Sequence, residues 1–206
     1  MIKVALPKGR IAKESLALFE RLYGAGFAFD DRKLILEHRD FTFMLVRSQD
    51  VPTYVAHRAA DVGIVGLDVI EEQQLEVIKL LNLHIGRCKV VVGSPCGKSL
   101  DFQKPQLKIA TKMPNITRKY FANKALSIET LKLYGSIELA QLVGLSDAIV
   151  DIVETGTTLK ENGLEVLEDI CPVSARLIVN IASMKLRKAE IEEFLQKVEA
   201  DVKNRG

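Results

Sequence analysis

The chain has 206 residues, 48% of them hydrophobic, which is enough to bury a substantial core in one large domain or two small ones. Its 29 basic and 27 acidic residues leave a net charge of +2, and Trp is absent, so the composition excludes the basic, aromatic-rich surfaces typical of nucleic-acid-binding proteins. Charged residues interrupt every apolar stretch before the roughly 20 residues that a membrane-spanning helix needs, so we expect no membrane association.

The N-terminus and the cysteines indicate the cellular compartment. Met1–Pro7 lacks the apolar centre and the small-residue cleavage site of a signal peptide. Cys88, Cys96 and Cys171 are odd in number and form no CxxC pair, which is typical of free, buried thiols in a reducing environment. We therefore expect a cytoplasmic protein.

Short apolar runs alternate with helical patterns along the chain, which predicts an α/β fold. Several runs are continuously apolar, as in strands covered by helices on both faces, so we expect a mostly parallel or mixed sheet. The predicted strands are Ile2–Leu6, Phe41–Val46, Val62–Val65, Lys89–Val92, Leu107–Ala110, Ala148–Val153 and Arg176–Val179.

Two helices are indicated most clearly. The first is predicted from Ile11 to about Tyr23, where Gly24 and Gly26 stop it. The second lies near the C-terminus and carries an apolar stripe that should dock on a core. That stripe consists of Ile191, Phe194, Leu195, Val198 and Val202.

The first polar cluster, Lys8-Gly9-Arg10, follows the first predicted strand and begins a helix. Ligands of open α/β folds gather at such strand ends. Lys8 and Arg10 could clamp a pyrophosphate while Gly9 lets the backbone approach it. An exposed basic turn without a ligand is the alternative, and it stays open on sequence grounds.

Three similar turns follow other predicted strands. Arg47 comes after the second strand, with Asp50 as a helix cap. Asp68 follows the Val62–Val65 strand closely and either caps the next helix or faces a ligand. Lys112 follows the Leu107–Ala110 strand, ahead of a helix that begins with Pro. The repetition of polar turns at strand ends suggests a single cleft.

The segment from Gly93 to Pro105 is rich in Gly, Ser, Pro and Lys and is predicted to be a loop. Its Gly93–Ser99 portion resembles the nucleotide-binding pattern GxxxxGK[ST] but is one residue too short and is followed by no helical pattern. The histidines His38, His57 and His84 are not spaced as metal ligands, so a dedicated metal site is not expected.

The Ala148–Val153 strand leads directly into the polar turn of Glu154, Thr155, Gly156, Thr157 and Thr158. Gly156 would let the backbone turn sharply and expose N–H groups, and the hydroxyls add further donors for a phosphate monoester. Asp151 and Glu154 would repel a phosphate but suit ribose hydroxyls. A sugar phosphate fits both halves of the segment, and a Thr-capped helix that binds nothing is the alternative.

Four stretches together resemble the ATP phosphoribosyltransferase family, in its short form. They are Leu6-Pro-Lys-Gly-Arg10, Gly63-Ile-Val-Gly-Leu-Asp68, Gly135-Ser-Ile-Glu138 and the segment from Asp151 to Gly163. The resemblance spans nearly the whole chain, and its last stretch is specific to the family.

This resemblance implies transfer of the 5-phosphoribosyl group from phosphoribosyl pyrophosphate (PRPP) to N1 of ATP, with release of pyrophosphate and with Mg²⁺ present, as the first step of histidine biosynthesis. It also implies a two-lobed α/β fold like that of type II periplasmic binding proteins, with a central cleft and two interlobe crossings. We place the crossings near Arg87 and Leu177. Residues 1–87 and 178–206 would then form one lobe and residues 88–177 the other.

By the same resemblance, the ribose would be held by Asp151 and Glu154, and its 5′-phosphate by Thr155, Gly156, Thr157 and Thr158. The pyrophosphate would face Lys8, Gly9 and Arg10. The ATP side or the metal is assigned to Arg47, Asp68, Lys112 and Glu138.

The resemblance also concerns assembly. The long form of the family continues into a histidine-binding regulatory domain, whereas this chain ends at Gly206. The short form implies a homodimer within a hetero-oligomer, whose separate regulatory partner is related to histidyl-tRNA synthetase. Two other functions remain open from the residues alone: a noncatalytic module that captures a phosphorylated metabolite, and a phosphoribosyltransferase with a different acceptor.

Overall fold

The computed structural model describes residues 1–30, 32–98, 100–101, 104 and 106–205. The chain divides into two compact units. The first unit contains Met1–Gly86 and the residues from Ser174 onward, and the second contains Arg87–Val173.

The described residues form eleven strands and eight α-helices. The strands are β1 (Ile2–Pro7), β2 (Ile35–His38), β3 (Phe41–Val46), β4 (Val62–Gly66), β5 (Ile78–Asn82), β6 (Cys88–Pro95), β7 (Leu107–Thr111), β8 (Ile128–Lys132), β9 (Ala148–Val153), β10 (Leu164–Val173) and β11 (Ala175–Val179). The helices are α1 (Arg10–Tyr23), α2 (Val51–Ala56), α3 (Leu67–Gln73), α4 (Pro114–Asn123), α5 (Ile137–Leu142), α6 (Thr157–Glu161), α7 (Ile181–Leu186) and α8 (Lys188–Arg205). A 3-10 turn at Ser48–Asp50 precedes α2.

The first unit has a six-stranded mixed sheet in the order β2-β3-β1-β4-β11-β5. At its centre β1 runs parallel to both β3 and β4, while β2 and β11 are antiparallel to their neighbours. The three parallel strands therefore end at the same edge, and the loops after them lie side by side.

A cluster of aromatic rings lies in the core of the first unit. The fully buried Phe19 of α1 contacts the rings of Phe41, Phe43 and Phe194 at centroid distances of 5.0, 4.7 and 5.4 Å. Phe194 belongs to the predicted apolar stripe of α8, whose other members are buried or half-buried in the same core. Docking of the C-terminal helix on the first unit is confirmed.

The second unit has a five-stranded sheet in the order β10-β6-β9-β7-β8. The strand β7 is parallel to β8 and β9, whereas β6 is antiparallel to β9 and β10. Helices α5 and α6 pack on this sheet through small and aliphatic side chains. The strand that carries Asp151 is therefore held between strands on both sides.

All seven predicted strands are confirmed, and four further strands were not predicted. These four, β2, β5, β8 and β10, are the edge strands of the two sheets. Their residues are largely half-buried or exposed, and therefore they lack the continuous apolar runs of the interior strands.

Two predicted boundaries differ from the structure. The second crossing between the units lies at Val173/Ser174 rather than between residues 177 and 178, because β11 begins at Ala175 and is paired with β4 and β5 of the first unit. The predicted loop from Gly93 also begins later, since β6 continues to Pro95. Ser99, Phe102, Gln103 and Pro105 of that loop lie outside the described residues.

The three cysteines form no disulfide, but they are not buried as predicted. Cys96 is exposed and Cys88 and Cys171 are half-buried, because β6 and β10 form one side of the second sheet. In the described part of the chain, no helix combines the length and the apolar character needed to cross a membrane.

Candidate active site

The threonine turn, residues 155–158, joins β9 to α6. Gly156 adopts the left-handed conformation, with φ 81° and ψ 1°, which a residue without a side chain adopts at little cost. The hydroxyls of Thr155 and Thr157 are 3.0 Å apart, so they hydrogen-bond to each other on the outside of the turn. Both side chains, like that of Thr158, belong to a surface-accessible segment and can donate to a ligand.

The turn is not explained by helix capping. Gly156 is the N-cap residue of α6 and has no side chain, so no side-chain hydrogen bond caps the helix. The contact from the N–H of Thr157 to the Thr155 hydroxyl is long, at 3.4 Å. A threonine is therefore not the cap of this helix, and ligand binding by the turn stays a prediction.

Asp151 is nearly buried near the end of β9, with 8% of its surface exposed. Its Oδ1 atom lies 2.8 Å from the Nζ atom of Lys112 and accepts a 2.7 Å hydrogen bond from the N–H of Ile152. A carboxylate held by a cation and an N–H has a defined position before any ligand binds. The two sequence candidates Asp151 and Lys112 thus belong to one group.

Strand register explains this pairing. The parallel strands β7 and β9 pair up to Thr111 and Val150, so the next residues, Lys112 and Asp151, leave the ladder together. The third parallel strand, β8, ends beside them, and the N–H of Leu133 donates to the carbonyl of Thr111.

Two further acidic candidates lie at this edge. Glu154 follows β9 directly, between Asp151 and the threonine turn. Glu138 is half-buried in the first turn of α5, which follows β8. The predicted site residues of the second unit therefore all lie where the parallel strands β7, β8 and β9 end, which we call the carboxyl edge of the second sheet.

The basic loop, Lys8–Arg10, occupies the corresponding edge of the first unit. The N–H of Lys8 donates to the carbonyl of Val46 at 3.0 Å, which places the loop next to Arg47 at the end of β3. Gly9 has φ 99° and ψ −145°, a conformation close to a region that only glycine adopts readily. Arg10 is exposed and lies 3.7 Å from Glu14 one turn along α1.

The remaining candidates of the first unit differ in their surroundings. Asp68 lies in the first turn of α3 after β4 and is 6% exposed, whereas Gly66 is the N-cap. Asp68 is therefore not the helix cap. Asp50 occupies the N-cap position of α2, as predicted, but its side chain makes no capping hydrogen bond.

A groove of about 450 Å³ runs along α1 from the basic loop and was not predicted. Lys8, Gly9 and Lys13 form its polar end, while Ala12, Leu16 and the loop around Phe27 form its apolar wall. Its walls come from α1, from the loop before β2 and from β3, and no single sequence motif indicates such a surface.

Thr111 is a second feature that the sequence did not single out. It is fully buried at the end of β7, and its hydroxyl hydrogen-bonds to β9 and to the start of α4. A Thr at the end of an apolar strand has no distinctive pattern.

Glu168 of the second unit has a shifted pKa but is not one of the candidate site residues. Hydrogen bonds from Lys124 and Tyr120 lower the pKa of Glu168 below its ordinary value. These contacts tie α4 to β10. Among the residues that the structure describes, no three His, Cys, Asp or Glu side chains are gathered as a metal site would require.

Comparisons with known sequences agree with one another. A family model described as ATP phosphoribosyltransferase matches residues 47–200. A protein named ATP phosphoribosyltransferase from Helicobacter hepaticus is 72% identical over 200 residues, covering 97% of this chain and 98% of the relative. One of the same name from Wolinella succinogenes is 62% identical, with 94% of each covered.

Solved structures agree as well. The ATP phosphoribosyl transferase (HisG:HisZ) complex from Thermotoga maritima contains a chain that is 35% identical, with a TM-score of 0.85 and coverage of 99% and 100%. The periplasmic aliphatic sulphonate binding protein SsuA from Escherichia coli is 16% identical, with a TM-score of 0.63, covering 99% of this chain and 73% of that one. The second likeness concerns the fold, which is that of periplasmic binding proteins.

Proposed function

The chain belongs to the ATP phosphoribosyltransferase family, and from that premise we propose that the carboxyl edge of the second sheet binds the phosphoribosyl group of its substrate. The reaction transfers 5-phosphoribosyl from PRPP to N1 of ATP and releases pyrophosphate, the first step of histidine biosynthesis. The observation that carries the site proposal is the threonine turn beside the prepositioned carboxylate of Asp151.

The threonine turn suits the 5′-phosphate of the ribose. Gly156 in the left-handed conformation lets backbone N–H groups point outward, and the hydroxyls of Thr155, Thr157 and Thr158 are uncharged donors. The helix α6 has only five residues, so the backbone and hydroxyl donors rather than a helix dipole must provide most of the binding.

Asp151 and Glu154 suit the ribose hydroxyls. A carboxylate accepts hydrogen bonds from a vicinal diol and repels phosphate. Because both carboxylates precede the turn, the ribose hydroxyls and the 5′-phosphate would bind at different places. Lys112 offsets the charge of Asp151, which lowers the repulsion between this carboxylate and an incoming phosphorylated sugar.

The basic loop suits the pyrophosphate. Lys8 and Arg10 are exposed cations, and Gly9 has open space where a Cβ would lie, so a ligand can approach the backbone closely. Arg47, Asp68, Lys112 and Glu138 remain our candidates for the ATP side or for the metal.

The reaction depends on positioning of the substrates and on stabilisation of charge more than on a strong base. Departure of pyrophosphate leaves an oxocarbenium-like ribose, so the residues must align C1 with adenine N1 and stabilise the leaving group. In this proposal the cations of the basic loop stabilise the leaving group, and the ribose-binding carboxylates fix the orientation of C1.

The carboxylates present also fit Mg²⁺ that arrives with PRPP and ATP. Mg²⁺ is commonly held by one or two carboxylates together with substrate phosphates, and Asp68 and Glu138 are the carboxylates among the four candidates for the ATP side or the metal. When bound, the ion would neutralise part of the pyrophosphate charge.

The test of the ribose assignment is calorimetric binding of PRPP with Mg²⁺ to Asp151→Asn and Glu154→Gln. Loss of a hydrogen bond to a charged group costs about 1.5 to 3 kcal/mol, so we expect affinity to fall roughly 10- to 150-fold while the fold stays intact. Asp169→Asn is the control for loss of a carboxylate, because Asp169 belongs to the edge strand β10, which β6 separates from β9, and it pairs with Lys89. Unchanged affinity in both site variants would refute the assignment.

We also propose that the chain forms a homodimer in a hetero-oligomer with a regulatory subunit related to histidyl-tRNA synthetase. The Thermotoga maritima structure is described as a HisG:HisZ complex, which supports a two-component enzyme. A cytoplasmic location is part of the same proposal, and cysteines that form no disulfide favour it.

Turnover at saturating substrates, with and without that partner and with added histidine, tests the assembly. We expect the isolated chain to be weakly active and insensitive to histidine, and the partner to raise its activity and to make it histidine-sensitive. Full activity and strong histidine inhibition of the isolated chain would contradict this.

A further inference from the structure

The hydroxyl of Thr111 is a junction between three elements of the second unit. Its Oγ1 atom donates to the carbonyl of Val150 in β9 at 2.8 Å and accepts from the N–H of Met113 at 2.9 Å. Thr117 on α4 approaches it at 3.3 Å and donates to the carbonyl of Met113 at 2.7 Å. Both threonines are fully buried, so these groups have no access to water.

The two bonds of Thr111 flank the ion pair at the site. Val150 immediately precedes Asp151, and Met113 immediately follows Lys112. One hydroxyl therefore restrains the backbone on both sides of the Lys112–Asp151 contact, at the point where the backbone pairing of β7 and β9 ends.

We propose that Thr111 is a positioning residue for PRPP binding, acting by holding Lys112 against Asp151. The proposal rests on the proposed role of Asp151 in binding ribose. Without the hydroxyl, the segment after β7 loses its attachment to β9, and Lys112 loses its defined direction. Asp151 would then be held less firmly and would carry an uncompensated charge beside a phosphorylated ligand.

A purely structural role makes a different prediction. In that case Thr111 serves only to satisfy buried polar groups and to support the start of α4, as Thr117 does through its bond to Met113. Replacing either threonine would then lower stability, and PRPP affinity of the folded protein would be equally affected by both.

The first measurement is PRPP binding by calorimetry, with Mg²⁺, to the full chain at a temperature where each variant is folded. Thr111→Val keeps the shape of the side chain and removes the hydroxyl, and we expect at least about tenfold weaker binding. Thr111→Ser keeps the hydroxyl and should restore most of the affinity. Thr117→Val is the matched control and should lower thermal stability while leaving PRPP affinity close to that of the parent.

The second measurement tests the route through Lys112. In the Lys112→Met background, Thr111→Val should add little further loss, because the group that it positions is gone. Additive losses in this cycle, normal PRPP binding by Thr111→Val, or an equal loss in Thr117→Val would each overturn the proposal.

Asp151→Asn, measured in parallel, separates this proposal from its premise. If Asp151→Asn binds PRPP weakly while Thr111→Val binds it normally, the positioning role fails and the ribose site stands. If Asp151→Asn binds PRPP normally, the site assignment fails, and the positioning role falls with it.

Discussion

The basic loop of the first unit and the threonine turn of the second unit both follow a parallel strand, but different forces hold them. The basic loop is anchored by a backbone hydrogen bond from Lys8 to Val46, and its cations are exposed. The threonine turn is uncharged and lies next to a nearly buried carboxylate whose lysine partner is fixed through Thr111.

This difference separates two ways of binding a phosphorylated ligand. An exposed cation attracts an anion over several ångströms and tolerates small displacements, but salt weakens it. Hydroxyl and N–H donors act only at hydrogen-bond distance, so their position must be exact to a few tenths of an ångström. We therefore expect the threonine turn to be sensitive to geometry and the basic loop to be sensitive to ionic strength.

The largest expected effect comes from adding a side chain at the two glycines. Gly9→Ala should lower the free energy of unfolding by about 1 to 3 kcal/mol, because its conformation is nearly restricted to glycine. Gly156→Ala should cost less, about 1 to 2 kcal/mol, because the left-handed region is partly accessible to alanine and the nearest atom is at 3.8 Å.

Urea unfolding measures both values, and PRPP affinity of the folded variants is recorded beside them. Gly135→Ala is the control, since its added Cβ meets no atom within 4 Å and no positive φ is involved. We expect it to be neutral or slightly stabilising. A larger loss of stability in Gly156→Ala than in Gly9→Ala would contradict the prediction that the backbone conformation of Gly9 is the more restricted to glycine.

A smaller effect should distinguish charge from geometry. Lys8→Gln should weaken the binding of inorganic pyrophosphate by about two- to fivefold at low ionic strength, as an exposed ion pair is worth up to about 1 kcal/mol. The difference should disappear in concentrated salt. Thr157→Val should instead weaken PRPP binding by a factor that changes little with salt. Titrations at several salt concentrations measure both, and a salt-independent effect of Lys8→Gln would remove the distinction.

The smallest expected effect concerns the far end of α1, the helix that begins in the basic loop. Arg21 donates to Asp201 of α8 at 2.9 and 3.1 Å, and this contact lowers the pKa of Asp201 below its ordinary value of 3.8. The carboxylate therefore stabilises the fold above that value, and its contribution is lost as the pH falls through the lower pKa of the folded state.

Asp201→Asn should thus lower the free energy of unfolding by up to about 1 kcal/mol at neutral pH and by nothing in acid. Unfolding in urea at a series of pH values gives the comparison with the parent. Arg21→Gln and the double variant complete a cycle, in which the double variant should lose less than the sum of the two. A pH-independent difference would mean that packing, not charge, accounts for the effect of Asp201.

Much of the candidate site could be predicted from the sequence because its residues lie at the ends of strands. Asp151 lies near the end of the most apolar strand of the second unit, Glu154 and the threonine turn follow that strand, and Lys8–Arg10 follow the first strand of the chain. The sequence could not reveal that Lys112 pairs with Asp151, because they are far apart in the chain and only the register of β7 and β9 brings them together.

The apolar runs of the sequence determined the interior of both sheets, because a strand covered on both faces must be apolar at nearly every position. The helical spacing of apolar residues likewise determined the helix that contains Phe194, since an amphipathic stripe needs a core to bury it. Tertiary structure alone decided the edge strands β2, β5, β8 and β10, whose half-exposed residues carry no distinctive pattern and pair only because a neighbouring strand is already present. Tertiary structure also decided the role of Thr111. Its hydroxyl can bond to both β9 and the start of α4 only because folding buries it between them.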